Sequence, residues 1–259
     1  MELKRLHNVT FSPAFHTEAM QAQLCQYFPY EAVSMNLTPF FNRKQALSLA
    51  ADEVLLLGAP VYGGRIPEPA VQRFKNLRGQ GTAAILLVTF GNRAFEDALL
   101  EMQDILTAQG FVVLAGAALV TEHSIASGYG EERPDDEDSG EMRRFAEQCV
   151  EKIRSLSEAK KGEVQLAGHR PYRERGGKHN IPTADENCIR CGVCAQECPV
   201  AAIDSAHVEK ADPALCFSCM RCVAVCPHNA RGIPVENVTR IRDYLESIDP
   251  PRKDNYFCL

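Results

Sequence analysis

Cysteines dominate the chemistry that this sequence can do. Eight of its eleven cysteines lie between positions 188 and 226, in two copies of the pattern Cys-x-x-Cys-x-x-Cys-x-x-x-Cys-Pro. Three cysteines at this spacing can bind one iron–sulfur cubane, and the fourth, which precedes proline, binds the other cluster. One [4Fe-4S] cluster is therefore assigned to Cys188, Cys191, Cys194 and Cys226, and the second to Cys216, Cys219, Cys222 and Cys198.

Zinc and disulfide bridges are the alternative explanations of this pattern. Structural zinc sites usually pair two Cys-x-x-Cys knuckles across a longer loop and do not use a run of three. A disulfide framework is typical of exported chains, whereas residues 1–8 contain no apolar signal core. Of the other cysteines, Cys25 and Cys149 lie in helical patterns and are expected to be small buried side chains, and Cys258 has no evident role.

Residues from about 187 to 227 resemble a bacterial-type two-cluster ferredoxin. The resemblance rests on the two cysteine runs described above. It implies a low-potential carrier of single electrons, with a small α+β fold built from two repeats about a pseudo-twofold axis.

The composition of the whole chain is that of a globular protein. Of its 259 residues, 45% are hydrophobic and 24% are charged. The net charge of -6 does not favour a nucleic-acid or anionic-membrane partner, and the longest uncharged apolar run, residues 111–120, is too short to span a bilayer. We therefore expect a cytoplasmic protein with no nucleic-acid or membrane partner. The resemblance to ferredoxins implies low-potential redox donor and acceptor proteins as partners, and the sequence leaves the oligomeric state open.

Strands and helices alternate through the first 159 residues. The apolar patterns predict strands at residues 6–12, 30–37, 53–60, 83–90 and 111–120, and helices at residues 17–28, 67–77, 94–109 and 140–159. This alternation predicts a three-layer α/β fold whose parallel sheet has the flavodoxin-like strand order 2-1-3-4-5. Ligands of such sheets bind at the carboxyl ends of the strands, which are here the loops 12–17, 60–65 and 89–93.

The first of these loops is a candidate phosphate site. A phosphate needs a turn that opens a helix, with amides and hydroxyls directed at it. Ser12 and Thr17 supply hydroxyls and His16 a proton donor, whereas Ala14 and Phe15 replace the hydroxyl and the glycine of the flavodoxin pattern Thr/Ser-x-Thr-Gly-x-Thr. Phe15 is penalised if this position requires a positive φ.

Residues 1–159 are similar to the flavodoxin half of the fused flavodoxin–ferredoxin proteins of anaerobic microbes. Segments 58–67, 89–98 and 122–124 carry the likeness, and the domain order is the same. It implies an FMN between the second and third loops, with Tyr62 over a ring face, a carbonyl of Gly63 or Gly64 at N5, and Asn92 at the pyrimidine edge. The candidate flavin residues of these loops are Pro60, Val61, Tyr62, Gly63, Gly64, Thr89, Phe90, Gly91 and Asn92.

Other charged residues near these loops receive simpler explanations. Arg93 and Asp97 are expected to cap or pair at the start of their own helix, and His123 is treated as an ordinary loop histidine.

The domain boundaries follow from changes in composition. Residues 1–159 form the flavodoxin-like domain, 160–183 a Gly- and Pro-rich linker, 184–233 the ferredoxin-like domain, and 234–259 a C-terminal helix and tail. The linker contains a basic cluster, which is either solvated or docked near the acidic residues 131–138 or near the iron–sulfur clusters. Its members are Arg170, Arg173, Arg175 and Lys178.

The leading hypothesis is an electron-transfer protein in which two [4Fe-4S] clusters and an FMN exchange single electrons. A carrier is favoured over an enzyme, and no residue is assigned as catalytic, since the motifs of dinucleotide, nucleotide and hydrolytic sites are absent. One alternative keeps the ferredoxin and makes the first domain a flavin-free docking module, for which Ala14 and Phe15 are the evidence. Another is an FMN- and iron–sulfur-dependent oxidoreductase that reduces a small organic acceptor.

Overall fold

The main sheet of the protein has six strands. The computed structural model describes residues 5–155, 164–176, 180–248 and 252–259. From one edge of the sheet to the other, the strands are β2 (Ala32–Asn36), β1 (Leu6–Thr10), β4 (Val54–Pro60), β6 (Thr82–Phe90), β7 (Phe111–Val120) and β10 (Tyr256–Cys258). The first five are parallel to their neighbours, and β10 is antiparallel to β7.

The order of the five parallel strands confirms the predicted flavodoxin-like topology. Numbered among themselves along the chain, they stand in the order 2-1-3-4-5. The sixth strand was not predicted: Tyr256 lies opposite Ala118 in β7, so the end of the chain returns to the first domain. A strand of three residues is too short to show a hydrophobic period, and its pairing depends on distant sequence.

Helices cover both faces of this sheet. Alternate side chains of a strand point to opposite faces, so Leu55 and Leu57 join one core and Leu56 joins the other. The helices α2 (Glu68–Phe74) and α3 (Ala98–Ala108) pack on the first face, and α1 (His16–Cys25) and α4 (Asp136–Ser155) on the second. Burial of one such leucine side chain stabilises the fold by roughly 2 kcal/mol.

Two helices begin at positions that differ from the prediction. α3 begins at Ala98 and not at residue 94, because Glu96 has a positive φ of 44°, which a right-handed helix does not allow. α4 begins at Asp136, four residues before the predicted start, and the acidic residues of its first turn favour the positive end of the helix dipole. Its predicted end, at 156–159, lies outside the described residues.

The cysteine-rich part contains short α and β elements, as predicted for a small α+β unit. They are β8 (Thr183–Ala184), α5 (Val193–Gln196), α6 (Arg221–Ala224) and β9 (Arg231–Gly232). Positive φ values at Arg190, Gly192 and Ala201 recur at the corresponding positions of the second cysteine run, namely Ser218, Met220 and Asn229. The two runs thus fold as repeats of one backbone.

The remaining elements are a second small sheet, whose Leu49 and Leu77 belong to the core of the first domain, a single turn and a C-terminal helix. The strands β3 (Leu47–Leu49) and β5 (Leu77–Gly79) form a small parallel sheet, and residues Phe40–Asn42 form one 3-10 turn. The helix α7 (Val235–Ile248) packs through Leu245 near Ala126 and Tyr129. None of the helices in the described ranges is long and apolar enough to cross a membrane.

The basic segment of the linker lies along α3. Asp97, at the start of that helix, accepts hydrogen bonds from the backbone amides of His169 at 2.9 Å and Arg173 at 2.8 Å. Arg170 pairs with Asp104, and Arg175 lies 2.7 Å from Glu101. The carboxylates that hold the segment belong to α3 and its start and, through an ion pair of Arg175 with Glu68, to α2. The predicted Lys178 lies outside the described residues.

Candidate functional site

The structure groups the eight cysteines around two small cavities. Cys188, Cys191, Cys194 and Cys226 line one cavity, and Cys198, Cys216, Cys219 and Cys222 line the other. Each cavity receives three cysteines from one run and the last cysteine of the other run, which is the grouping that the spacing predicts. In the described residues, no group of three or more Cys, His, Asp or Glu side chains is placed to hold a single metal ion.

Each Cys-Pro cysteine accepts a hydrogen bond from the backbone. The amide of Ala202 lies 3.2 Å from Sγ of Cys198, and the amide of Ala230 lies 3.3 Å from Sγ of Cys226. Hydrogen bonds to cluster sulfurs are among the factors that set the reduction potential. The repeat therefore provides both cavities with the same backbone donor.

Arg231 is a buried cation beside the cysteines. Its side chain donates to the carbonyls of Val208 and Pro182, and one terminal nitrogen lies 3.8 Å from Sγ of Cys194. Burial raises the pKa of the Cys194 and Cys222 thiols, and the positive charge of Arg231 opposes this shift. Since iron–sulfur ligands bind as thiolates, the cation favours the ligating form.

The two cysteine groups differ in exposure. Cys191 is exposed and the adjacent Ile189 is 63% exposed, whereas Cys219 and Cys222 are each 8% exposed. Burial raises the pKa of the Cys219 thiol far above its usual range. One group therefore lies near the protein surface, and the other faces the first domain.

A cleft of about 460 Å³ lies at the carboxyl ends of β1, β4 and β6. This is the position where ligands of open α/β sheets bind. Eleven of the predicted flavin residues line it: Ser12, Ala14, His16, Thr17, Pro60, Val61, Tyr62, Gly63, Thr89, Phe90 and Gly91.

Three predicted flavin residues, Phe15, Gly64 and Asn92, do not line the cleft. The ring of Phe15 lies under the guanidinium of Arg221, with 4.2 Å between the guanidinium carbon and the ring centre. A side chain on Gly64 would meet Glu96 and Arg173. The amide oxygen of Asn92 accepts a hydrogen bond from the backbone of Lys253 at 3.0 Å. Each of the three positions is next to a segment that is distant in the sequence, and no local pattern predicts such a contact.

The hydroxyls of the first loop have partners and retain hydrogen-bonding capacity. Oγ of Ser12 accepts from the amide of Glu18 at 3.0 Å, and its own proton is still available for donation. The hydroxyls of Thr17 and Thr89 are 2.7 Å apart, so one donates to the other and one proton remains. Together with the positive end of the α1 dipole, these groups fit a phosphate.

Phe15 adopts the backbone conformation that the flavodoxin pattern reserves for glycine. Its φ is 68°, and it is the residue that precedes α1. A left-handed conformation costs a residue other than glycine on the order of 1 kcal/mol. The first loop therefore keeps its turn although the glycine is missing, and the ring of Phe15 lies outside the cleft lining.

Two histidines in the cleft favour their neutral forms. Burial lowers the pKa of His16, and Glu122 partly opposes this shift. Burial, reinforced by Arg93 and His16, lowers the pKa of His123 to about 4. Nδ1 of His123 also accepts hydrogen bonds from the amides of Ile125 at 3.2 Å and Ala126 at 3.0 Å, which a proton there would abolish.

Sequence reasoning missed the part of the lining that comes from outside the three loops. The linker contributes Arg175, Gly176 and Asn180, and the cysteine-rich part contributes Phe217 and Ser218. His123 also lines the cleft, although its role was predicted to be that of an ordinary loop residue. No local pattern identifies these residues, because they reach the cleft through tertiary packing.

Among the residues that the structure describes, three hydrogen bonds join the first domain to the cysteine-rich part. The hydroxyl of Tyr62 donates to the carbonyl of Cys219 at 3.4 Å. Arg73 of α2 donates to the carbonyl of Pro199 at 2.5 Å. Arg221 donates to the carbonyl of Pro13 in the first loop at 3.3 Å. The cysteine-bearing segments are thus held against the loops that line the cleft.

Comparison with known proteins identifies the C-terminal part. Residues 187–230 match the family model described as 4Fe-4S dicluster domain. No curated protein matches the chain.

Several solved structures align with more than half of the chain. Rubredoxin oxygen:oxidoreductase from Desulfovibrio gigas is 15% identical, with 61% of this chain and 38% of that chain covered and a TM-score of 0.42. A flavodoxin from Streptococcus pneumoniae TIGR4 is 14% identical, with coverages of 57% and 99% and a TM-score of 0.40. Fusobacterium nucleatum flavodoxin bound to flavin mononucleotide is 13% identical, with coverages of 60% and 98% and a TM-score of 0.39.

Proposed function

We propose that this chain, which fuses a flavodoxin-like fold to a 4Fe-4S domain, passes single electrons between two [4Fe-4S] clusters and an FMN. The observation that carries the proposal is the position of Phe217. This residue lies between two cysteines of the buried group and lines both their cavity and the cleft. A cluster in that cavity and a flavin in the cleft would share one side chain as a common wall.

The first domain supplies the groups that would hold FMN, which can store one or two electrons. Ser12, Thr17 and the start of α1 suit the phosphate, because they offer hydroxyl and amide donors at the positive end of a helix dipole. Tyr62 and Phe90 offer aromatic surface to the ring system. Arg175 and Gly176 of the linker line the cleft as well.

The difference in exposure suggests a direction for the electrons. A low-potential donor protein would reduce the surface-exposed cluster of Cys191 by one electron, and that electron would pass to the buried cluster. A second one-electron transfer would reduce an FMN held in the cleft, and each transfer would oxidise one centre as it reduces the next. The exposed Ile189 beside Cys191 suits contact with the donor.

The test is the cofactor content of protein purified without oxygen. We expect about eight iron atoms and one FMN per chain, identified after acid release by chromatography. A stoichiometric iron content without FMN binding, in the purified chain and after titration with FMN, would favour the flavin-free docking module.

A further inference from the structure

Ser218 has a buried hydroxyl that the protein does not use. Within the described residues, its Oγ has no hydrogen-bond partner and is shielded from solvent. An unpaired buried hydroxyl lowers stability, so such groups usually have a partner. The position of Ser218 identifies what that partner is.

Ser218 faces the cleft of the first domain. It lines the cleft, whereas Cys216 and Cys219 on either side of it line the cavity of the buried cysteine group. The segment 216–219 therefore lies between the two spaces, with the cysteines lining one and Ser218 lining the other.

The backbone around Ser218 is fixed by packing. Its φ is 56°, the same left-handed conformation that Arg190 has in the first repeat. The ring of Phe217 lies 6.1 Å from that of Tyr62 and 6.4 Å from that of Phe11, measured between ring centres. The hydrogen bond from Tyr62 to Cys219 holds the other end of the segment. A hydroxyl held in this way loses little entropy when a ligand binds to it.

The chemistry of the cleft favours the flavin as that ligand. The ring system of a flavin carries carbonyl oxygens and ring nitrogens at its edge, and a serine hydroxyl can donate to or accept from such atoms. Ser12 and Thr17 belong to the loop that suits the phosphate, whereas Ser218 lies beside Phe217, which packs on Tyr62 of the second loop. The serine is thus next to the loop that is predicted to contact the ring.

We infer that the FMN site is composite: the segment between Cys216 and Cys219 forms one of its walls, and the Ser218 hydroxyl is a hydrogen-bonding partner of the bound flavin. This inference rests on the proposed binding of FMN and adds a residue from the iron–sulfur domain to it. A direct consequence is that the flavin site is complete only when the iron–sulfur domain is folded against the first domain.

Two substitutions of Ser218 test the inference. Ser218→Ala removes the hydroxyl but keeps a β-carbon at a residue with positive φ. Ser218→Gly also removes the hydroxyl, and glycine adopts a positive φ without strain, so the two variants separate backbone strain from loss of the hydrogen bond. The matched control is Ser205→Ala, at an exposed serine of the same domain. Each full-length chain, with its iron content and visible spectrum checked, is titrated without oxygen against FMN by fluorescence quenching.

We expect both Ser218 variants to bind FMN about 2- to 10-fold more weakly than the wild type, because one hydrogen bond is lost. The Ser205→Ala control keeps the wild-type affinity. If the wild type binds FMN and both Ser218 variants bind it equally well, the composite site is wrong while the proposed function stands. If the wild type binds no FMN, both are wrong.

Discussion

The guanidinium carbon of Arg221 lies 4.2 Å from the centre of the Phe15 ring, and this contact joins the iron–sulfur domain to the first loop. Arg221 is 7% exposed, pairs with Glu197 and donates to the carbonyl of Pro13. A cation above an aromatic ring contributes about 0.5–2 kcal/mol, depending on its desolvation. The contact gives a physical reason for an aromatic residue where the flavodoxin pattern has glycine: the ring provides a docking surface for the second domain.

The double substitution Ala14→Thr and Phe15→Gly is expected to change FMN affinity by less than about fivefold, the equivalent of ~1 kcal/mol. The reason is that the backbone of Phe15 already has a φ of 68°, so glycine adds no new loop conformation. Titration of both chains with FMN by fluorescence quenching measures the effect. Tight binding by the variant and none by the wild type would instead support the flavin-free docking module.

Arg73→Gln is expected to lower the free energy of unfolding by about 3 kcal/mol, because it removes a buried cation that bonds three carbonyls. Arg73 is 3% exposed, and its partners are the carbonyls of Leu37, Thr38 and Pro199. Burial lowers its pKa to about 10, so it is still charged at pH 7.

Urea unfolding without oxygen measures this effect. Lys75→Gln, at an exposed position of the same segment, is the matched control and is expected to change stability by less than about 0.5 kcal/mol. Equal shifts of the two transition midpoints would show that the bond between the domains contributes nothing of its own.

Arg231→Gln is expected to lower the reduction potential of the iron–sulfur clusters by on the order of 50 mV. Reduction adds negative charge to a cluster, and a buried cation near Cys194 stabilises that charge. A redox titration followed by electron paramagnetic resonance measures the potentials. The control is Arg240→Gln, whose side chain is exposed and bonds Asn237 in the same helix; a shift of the same size in the control would contradict the role of Arg231.

Stability is expected to fall between pH 6.5 and pH 4, in part because of His123. Its pKa is lowered to about 4 in the folded chain, so in this window the unfolded state binds the proton and the folded state does not. Stability therefore rises with pH across the window and is lost as pH falls through it.

His123→Asn is expected to reduce this dependence on pH by on the order of 1–2 kcal/mol. Urea transitions of wild type and variant at pH 5 and pH 7 measure the difference. Parallel pH profiles for the two chains would assign the acid sensitivity to other groups.

Features that depend on a regular spacing of residues within a short segment could be predicted from the sequence. The cysteine spacing predicted which thiols share a cavity, since ligand order along a short segment limits which sulfurs can meet. The runs at 53–60 and 83–90 predicted buried parallel strands, because a strand covered on both faces is apolar at nearly every position. The strand order 2-1-3-4-5 followed from their alternation with helices.

The lining of the cleft could be predicted only in part, because local sequence does not show contacts between distant segments. Eleven predicted residues line it because the three loops follow parallel strands, whose carboxyl ends share one edge of the sheet. The residue type of Phe15 argues against a positive φ at this position. Only the folded chain shows its φ of 68° and its contact with Arg221.

By itself, the sequence determined the two cysteine groups and the order of the first sheet, because spacing and hydrophobic period are properties of short segments. Only the tertiary structure decided that Phe217 lines both the cysteine cavity and the cleft, that Ser218 lines the cleft with its hydroxyl buried and unpaired among the described residues, and that Tyr256 adds a strand to the sheet. These relationships join residues far apart along the chain. They depend on packing between distant segments, and such packing produces no periodic pattern in the sequence of either segment.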